Sequence, residues 1–589
     1  VTYSVTLNKD EKQVLPVNVE ALNGFGEGSV TLDVAGVISA NGDSKTLQKV
    51  VKVGVRPAYP AKTLKEQIVL KPGASWLLPP SMTDGLTPES IEAQLYLSGR
   101  PPINIQEHIR ELYAYPYGCL EQATSGHYPS LYVTTQQLNQ LGIKTESDDV
   151  RRTHIYEGIE KLLAMQTYTG GFGYWDNTGV ENNWGSVYAL DFLLRAKERG
   201  YNVPEEALNK GINRLKQYVQ NRHEIETYFL DNKSDKLFAV QSYAALVLAG
   251  QQQASLSDLR KLYEYRDKSS LGLPRVQLGI ALRLMGDESR GDDLIKSGLN
   301  NLERSNNFWA DDYGTSLRDT AMALFLLKEN RLLSNVQDSL VLKLSHLVNS
   351  RSYLSTQERN ALFLATKDLI NSKSSLWQAE LQSIEPQEWK SDTDRYASLS
   401  ANSLSQPNVL NNIGQTTLYP QLTVVGYSSE KPAAEFNGLD ISRSYYDTQG
   451  RPVSLHNVRT GDLYVVAITV TTTKNGKQVR DALVVDLLPA GLEIENQNMS
   501  DRASGFVAST PEMRDLLDKV YSTEIVYQEY RDDRYVASLV VSPYQKATLL
   551  YMVRAVTKGT YVVPSPMVES MYQPWIRATG YPSDNLVIK

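Results

Sequence analysis

One cysteine and one glutamine in this chain have the types and the spacing needed to build a stored electrophile. Cys119 is the only cysteine among 589 residues, and Gln122 follows it by three positions, with Glu121 next to it. Side chains at i and i+3 lie on adjacent faces of one helical turn, within reach of each other. If the Cys119 sulfur attacks the Gln122 carboxamide and ammonia leaves, an internal thioester forms, which an amine can later open.

Three other interpretations of these residues stay open from spacing alone. A single cysteine is most often a small buried hydrophobic residue. His127, eight residues after Cys119, offers a general base for a Cys–His hydrolase or transferase, although such a histidine is more often a helix-surface or core residue. Glu121 either assists proton transfer or carries a solvated charge at the start of a helix, where the helix dipole favours a carboxylate.

The composition excludes several classes of protein. The length predicts several domains, and 41% apolar and 22% charged residues are ordinary for a globular protein. A net charge of −7 gives no sign of a nucleic-acid-binding surface. No run approaches the 18 apolar residues of a membrane helix. One cysteine excludes an intramolecular disulfide framework and a cysteine-based zinc cluster, and the sequence predicts no metal site and no cofactor.

The hydrophobic period changes twice along the chain. Apolar and polar residues alternate over residues 1–99, with turns predicted at Gly24–Gly28 and Asn41–Gly42, as in antiparallel strands. The period becomes helical over residues 100–370, and alternation returns from residue 371. In the last part, Lys474-Asn-Gly-Lys477 predicts a hairpin turn.

The helical block predicts a closed ring of helix pairs. Its apolar segments recur about every 40 residues, in the range of helical-pair repeats, and bury most of their circumference. A turn at residues 170–175, Gly-Gly-Phe-Gly-Tyr-Trp, is typical of such α/α toroids and indicates the fold rather than a function. The predicted helices are the one containing Ile155, Ile159, Leu162 and Leu163, and those at Gly185–Arg199, Ala239–Ala249, Val276–Leu284, Ser316–Lys328 and Thr356–Ile370.

The residues around Cys119 carry a family resemblance. The run Tyr115-Pro-Tyr-Gly-Cys-Leu-Glu-Gln-Ala-Thr-Ser125 resembles the thioester signature of the α2-macroglobulin and complement family. Animal members usually have Gly after the cysteine, whereas Leu120 fits the bacterial branch. Segments near the C-terminus, at residues 484–494, 531–534 and 554–564, also resemble the final macroglobulin domain of bacterial members.

This resemblance implies a multidomain α+β fold. Residues 1–57 are expected to end a macroglobulin-like β-sandwich, and residues 100–370 to form the helical thioester domain. Residues 58–99 and 371–430 are expected to make one CUB-like β domain that the helical block interrupts. Residues 431–589 are expected to form the C-terminal macroglobulin-like β-sandwich. The first residues, Val1-Thr-Tyr-Ser, are read as those of an excised or processed fragment.

The resemblance also implies a function. Bacterial members are covalent protease inhibitors of the periplasm, in which the thioester acylates a lysine of the attacking protease in a single-use step. The expected partners are therefore proteases and a periplasmic peptidoglycan synthase. The full-length protein is expected to be a monomer held at the inner membrane by an N-terminal lipid anchor outside this chain. No histidine occurs near Asn306–Tyr313, which favours amines over hydroxyls as acceptors.

A thioester exposed to water would hydrolyse, so the sequence must also provide a cover. Large aromatic side chains exclude water over a wide area at low entropic cost. Tyr115 and Tyr117 precede Cys119, and the bacterial pattern resembles a Met571–Tyr572 loop that docks on the thioester. We therefore expect these four residues to form the lid, the alternative being that Tyr572 packs within its own sandwich.

Two pairs of adjacent acidic residues are further candidate sites. Asp311 and Asp312 at a toroid mouth would suit a glycan enzyme or a glycan-binding module, but adjacent Asp residues more often cap and solvate a loop. Arg531-Asp-Asp-Arg534 is better explained by ion pairing at a strand edge.

Overall fold

The structure is a computed structural model. It describes residues 4–7, 11–15, 17–20, 25–37, 44–100, 103, 105–114, 118–140, 147–227, 232–305, 311–349, 354–369, 373–473, 478–495, 510–543, 545–573 and 575–589. Among these residues, no helix is both long and apolar enough to cross a membrane.

A two-stranded antiparallel ribbon forms most of the described N-terminal part. Its strands are β1 (Gly26–Val37) and β2 (Ser44–Val55), which pair from Gly26–Val55 to Val37–Ser44. Two predictions were wrong here. Gly26 and Gly28, expected in a turn, begin β1, because glycine tolerates the extended ribbon and the φ of +120° at Gly26. The described residues before Phe25 form no strand. Asn41 and Gly42 lie outside the described residues.

A β domain is interrupted by the helical block, as predicted. Its strands and one short helix are β3 (Ala61–Gln67), β4 (Ser75–Leu77) and β5 (Glu92–Leu97) before the block, and β6 (Trp377–Gln382), β7 (Gln387–Ser391), β8 (Arg395–Leu399), α14 (Ala401–Leu404), β9 (Val409–Asn412) and β10 (Gln421–Tyr427) after it. They form two four-stranded sheets, in the orders β3-β10-β5-β8 and β4-β9-β6-β7. In the first sheet Val424 of β10 pairs with Leu64 on one side and Ala93 on the other. Strands on the two sides of the block therefore share one core.

The helical block is a ring. Its helices are α1 (Ile105–Ala114), α2 (Leu120–His127), α3 (Thr135–Gln140), α4 (Asp148–Ala164), α5 (Asn183–Glu198), α6 (Glu205–Gln220), α7 (Lys233–Gly250), α8 (Leu256–Tyr263), α9 (Gly272–Leu284), α10 (Glu288–Leu299), α11 (Ser316–Glu329), α12 (Ser334–Asn349) and α13 (Thr356–Thr366). Helix α13 packs against α1 and α2, which closes the ring. The sequence located six of these helices. Helices α5, α7, α9, α11 and α13 are buried over most of their surface, and α4 contains the predicted residues Ile155, Ile159, Leu162 and Leu163. The amphipathic helices α6 and α10 were not located individually, because they bury only one face.

The last part is a β-sandwich. Its elements are β11 (Glu435–Asn437), β12 (Leu439–Asp447), β13 (Leu463–Thr472), β14 (Val479–Leu487), β15 (Leu492–Ile494), α15 (Pro511–Tyr521), β16 (Glu524–Tyr530), β17 (Arg534–Val541), β18 (Ala547–Ala555), β19 (Gly559–Tyr561), β20 (Met567–Ser570), β21 (Arg577–Thr579) and β22 (Leu586–Ile588). The two main sheets have the orders β11-β21-β20-β14-β17-β16 and β12-β13-β18-β15.

The predicted hairpin between β13 and β14 was wrong. The two strands lie in different sheets, so the connection crosses the sandwich instead of reversing within one sheet. The turn residues Lys474–Lys477 lie outside the described residues. A hairpin does occur between β16 and β17, where Arg531 N–H donates to Arg534 O at 3.0 Å.

The overall architecture is the predicted multidomain α+β fold. Strand pairing shows which segments belong together, and the domain limits at residues 57, 99, 370 and 430 stay predictions.

Candidate functional site

Cys119 and Gln122 are held together by the start of α2. Cys119 is the residue that caps this helix, in extended conformation with φ −63° and ψ 169°. Its side chain accepts from the Gln122 N–H, and its own N–H donates to Gln122 Oε1 at 3.3 Å. This is a capping box in which cysteine and glutamine take the usual places of Ser and Glu. The carboxamide is thereby folded back to the end of the helix where the sulfur lies.

The loop after β20 covers both side chains. The Tyr572 hydroxyl lies 3.3 Å from Cys119 Sγ, and Gln122 Nε2 donates to Met571 Sδ at 3.2 Å. Cys119, Gln122, Met571 and Tyr572 are all at most 5% exposed. Met571 and Tyr572 pack into the core of the helical ring and not into that of their own sandwich. The structure therefore brings the predicted residues of the last domain onto the Cys119–Gln122 pair.

Two further tyrosines hold Tyr572 in place. Tyr313 makes an edge contact with the Tyr572 ring, at 4.5 Å between centroids and 67° between planes, and the Tyr174 hydroxyl lies 3.4 Å from that of Tyr572. The Tyr174 carbonyl also accepts from Leu120 N–H at 2.8 Å. The sequence missed Tyr174 because the turn containing it was assigned to the fold alone. That assignment was wrong, since the turn contacts the site.

A carboxylate on the sandwich fixes the covering loop. Asp481, on β14, accepts from the Tyr572 N–H at 3.1 Å and from the Ser570 hydroxyl at 3.0 Å, both through Oδ2. Its carbonyl accepts from the Met571 N–H at 3.0 Å. Burial raises the pKa of Asp481, while these hydrogen bonds oppose the rise. No pattern in the sequence singled out this residue.

Glu121 does not carry a solvated charge, so that interpretation was wrong. Its side chain is fully buried and accepts hydrogen bonds from Ser125 at 2.5 Å, Thr356 at 2.7 Å and Gln357 at 3.1 Å. Burial raises the pKa of Glu121, although these hydrogen bonds oppose the change. Helix α13 supplies two of the three donors, so closure of the ring decides the environment of Glu121.

The Cys119 thiol is a weak acid in this environment. Burial and then the neighbouring Glu121 carboxylate raise its pKa to about 12, and the hydrogen bond with Tyr572 offsets part of this. Cys119 is thus a neutral thiol in this environment.

The Cys–His alternative has no support in the geometry. His127 lies two turns along α2 from Cys119, roughly 12 Å at 1.5 Å per residue. Its ring contacts His154, with 3.4 Å between the two Nδ1 atoms, and packs against Gly158. Burial lowers the pKa of His127 to about 3. The residue is a packing histidine between α2 and α4.

The two candidate acidic groups form ion pairs. Asp311 pairs with Lys236 at 2.6 Å. Asp312 is 2% exposed and pairs with Arg304 at 2.6 Å and Arg318 at 3.1 Å, so the prediction that it is solvated was wrong. The Asp311–Asp312 pair is therefore not a free carboxylate couple of the kind that a glycosidase needs.

The run Arg531–Arg534 is also occupied by ion pairs. Arg531 pairs with Glu529 at 2.7 Å and Arg534 with Asp533 at 2.6 Å, as predicted for a strand edge.

Among the described residues, no group of three His, Cys, Asp or Glu side chains is arranged to hold a metal ion. Tyr115 and Tyr117 lie outside the described residues, so their part in the lid stays a prediction.

Two family models match the two sides of this site. The A-macroglobulin TED domain matches residues 93–234, which include Cys119 and Gln122. The bacterial alpha-2-macroglobulin MG10 domain matches residues 438–574, which include Asp481, Met571 and Tyr572.

Individual relatives agree with these models. The chain is 43% identical to an alpha-2-macroglobulin of Escherichia coli over its whole length and spans 35% of that protein. It is similar to the crystal structure of native E. coli alpha-2-macroglobulin from domain MG7 to the C-terminus, at 43% identity and a TM-score of 0.90, covering 96% of this chain and 88% of that one. It is also similar to a Salmonella alpha-2-macroglobulin reacted with methylamine, at 43% identity and a TM-score of 0.88, covering 97% of this chain and 36% of that one.

Proposed function

Because the chain belongs to the bacterial α2-macroglobulin family, we propose that it is the thioester-bearing part of a covalent protease inhibitor. The observation that carries the proposal is the capping box, in which the Cys119 side chain and the Gln122 carboxamide meet at one helix end under a cover of Met571 and Tyr572. The methylamine-reacted Salmonella relative supports it, since methylamine is the kind of nucleophile that opens a thioester.

Formation of the thioester requires one bond exchange. The Cys119 sulfur attacks Gln122 Cδ, the C–N bond of the carboxamide breaks, and the nitrogen leaves as ammonia with the thiol proton. Glu121 is the nearest acidic group in the sequence, and its raised pKa suits a group that passes this proton to the departing nitrogen. We propose this proton-transfer role for Glu121.

The closed site preserves the product. Burial keeps water from Cδ, and the high pKa of Cys119 makes the sulfur a poor leaving group. When the Met571–Tyr572 loop moves away, water and charged groups enter, the thiolate becomes stable, and a lysine amine can take the acyl group. The C–S bond then breaks, an isopeptide bond to Gln122 forms, and Cys119 is released as a thiol. Each molecule reacts once and is not an enzyme.

The remaining expectations concern the whole protein. We propose that its targets are attacking proteases, that it works as a monomer in the bacterial periplasm, and that an N-terminal lipid holds it at the inner membrane. Association with a peptidoglycan synthase is part of the same proposal. These statements rest on the family resemblance.

Thiol labelling tests the thioester. Native protein should resist alkylation at Cys119, and treatment with methylamine should release one alkylatable thiol. Cys119→Ala should lose all amine conjugation while keeping its helical spectrum, and Ser130→Ala, outside the capping box, serves as the matched control. Amine conjugation that persists in Cys119→Ala would remove the basis of the proposal.

A further inference from the structure

A cavity of about 230 Å³ lies between the helical ring and the last sandwich. Tyr174, Tyr313 and Asn182 line it from the ring, and Asp481 and Val526 from the sandwich. Tyr572 also lines it, and the hydroxyl of that same side chain lies 3.3 Å from Cys119 Sγ. A water molecule occupies about 30 Å³ of liquid, so the cavity has room for a small organic amine. One aromatic side chain thus connects this cavity with the buried thiol.

The lining has the chemistry that binds an ammonium ion. Four acidic residues, Glu181, Glu226, Asp311 and Asp481, and two basic ones line the cavity. Asp311 is neutralised by Lys236 at 2.6 Å and Glu181 by Arg214 at 3.0 Å. Within the part of the chain that the structure describes, neither Glu226 nor Asp481 has an ion-pair partner. These two carboxylates outnumber the one other basic residue of the lining, Arg480, so the cavity keeps a net negative charge that favours a cation.

The walls add a second attraction. Tyr174, Tyr313 and Tyr572 all face the cavity. An ammonium group near the face of an aromatic ring gains about 0.5–1 kcal/mol when partly exposed, and more when it loses water. Aromatic walls combined with carboxylates select an organic cation over a neutral molecule or an anion.

We propose that this cavity binds primary alkylammonium ions and is the route by which a small amine reaches the Cys119–Gln122 thioester while the domains remain closed. The inference rests on the proposed function, because it needs an electrophile behind Tyr572. Asp481 is the docking carboxylate. It is also the group that holds Tyr572, through the 3.1 Å bond from the Tyr572 N–H. An ammonium ion that binds Asp481 competes for this acceptor and loosens the cover.

The chemistry in the cavity balances with the groups present. The bound ammonium ion gives one proton to the Asp481 carboxylate and becomes a neutral amine. Its nitrogen attacks Gln122 Cδ, the C–S bond breaks, and a secondary amide forms. The sulfur leaves with the second proton from the amine, so the products are the Gln122 alkylamide and the Cys119 thiol.

Val526 offers a way to close or widen the entrance. It lies on β16, where the register with β17 shifts between Ile525 and Tyr527. Such a bulge changes the direction of a side chain relative to a regular strand. The Val526 side chain lines the cavity and is 43% exposed. A larger side chain at this exposed position narrows the cavity without entering either core, and a smaller one widens it.

The test measures the second-order rate of methylamine-dependent thiol release in the whole chain. Val526→Trp should react about tenfold more slowly, since only lid opening then admits the amine. Val526→Ala should react faster with the bulkier benzylamine. Val150→Trp, at an exposed position outside the cavity, is the matched control and should react like the parent. Melting curves verify that the variants are folded.

A charge variant completes the test. Glu226→Gln should lower the rate of reaction with methylamine roughly fivefold. The variant removes one negative charge from the cavity and so lowers the local concentration of methylammonium ions. Its rate with hydroxylamine, which is mostly neutral at pH 7, should stay unchanged. Unaltered methylamine rates in folded Val526→Trp and Glu226→Gln would overturn the cavity route while leaving the thioester intact. A parent protein that releases no thiol with methylamine would instead refute the proposed function itself.

Discussion

Removal of the Tyr572 side chain should expose the thioester without unfolding either domain. Tyr572 contributes an aromatic edge contact with Tyr313 and a hydrogen bond to Cys119 Sγ. Each is worth about 1 kcal/mol, so Tyr572→Gly should shift the balance between closed and open loops by about 2 kcal/mol. Since 1.4 kcal/mol is a factor of ten, thiol release should accelerate about thirtyfold.

A conservative variant separates the two contributions. Tyr572→Phe keeps the ring but loses the hydroxyl, so it should lose about 1 kcal/mol and accelerate release only about fivefold. The core of the last sandwich does not include Tyr572. The melting temperature of this domain should therefore be the same in both variants as in the parent protein. Tyr581→Gly, which removes a tyrosine of the same domain that is 74% exposed, is the control.

The assay uses the fact that Cys119 is the only cysteine. An aromatic disulfide reagent reports each released thiol by absorbance, in buffer alone for hydrolysis and with methylamine for aminolysis. If Tyr572→Gly unfolds the last sandwich and its release rates stay at the parental value, Tyr572 is a structural core residue and the covering role is refuted.

Four other outcomes follow from the structure. Cys119→Ala should take up no methylamine and stay within about 2 kcal/mol of the parental stability, measured by denaturant unfolding. Asp481→Asn weakens a charge-assisted hydrogen bond to the Tyr572 N–H, so spontaneous thiol release should rise about fivefold. Burial lowers the pKa of His108 from 6.5 to about 3, so the unfolded chain takes up the proton first and stability falls as the pH drops below 6.5. At pH 5 the contribution of His108 to this loss should be about 2 kcal/mol, and melting curves of His108→Gln should lack this contribution. A segment of residues 100–370 should give a helical far-UV spectrum, and a strand-dominated one would contradict the domain plan.

The sequence predicts those parts of the fold that depend on hydrophobic patterns within a single helix or strand. The helices α5, α7, α9, α11 and α13 each contain apolar runs and are buried over most of their surface. Strand β5 begins with alternating exposed and buried residues. Strand pairing between distant segments is harder to predict from the sequence. The turn sequence Lys474–Lys477 predicted a hairpin, yet β13 and β14 belong to different sheets. A short turn pattern records local backbone preference, whereas the choice of sheet depends on which face each strand buries.

The same distinction between local and distant contacts applies to the candidate site. The Cys119–Gln122 contact depends on three residues of spacing within one helical turn, so the sequence predicts it. The environment of Glu121 depends on Thr356 and Gln357, which lie more than 230 positions away and arrive only when the ring closes. Asp481 was missed for a related reason. Its side chain accepts the N–H of Tyr572, which lies 91 positions along the chain, and such a distant contact leaves no pattern in the sequence.

The most direct measurement is the intact mass of freshly purified protein, taken under denaturing conditions without reducing agent. A thioester between Cys119 and Gln122 makes the chain lighter than its coded mass by one ammonia. Methylamine should then add one methylamine to that mass and make one thiol available for alkylation. The full coded mass, together with immediate stoichiometric alkylation of Cys119 in untreated protein, would contradict the account.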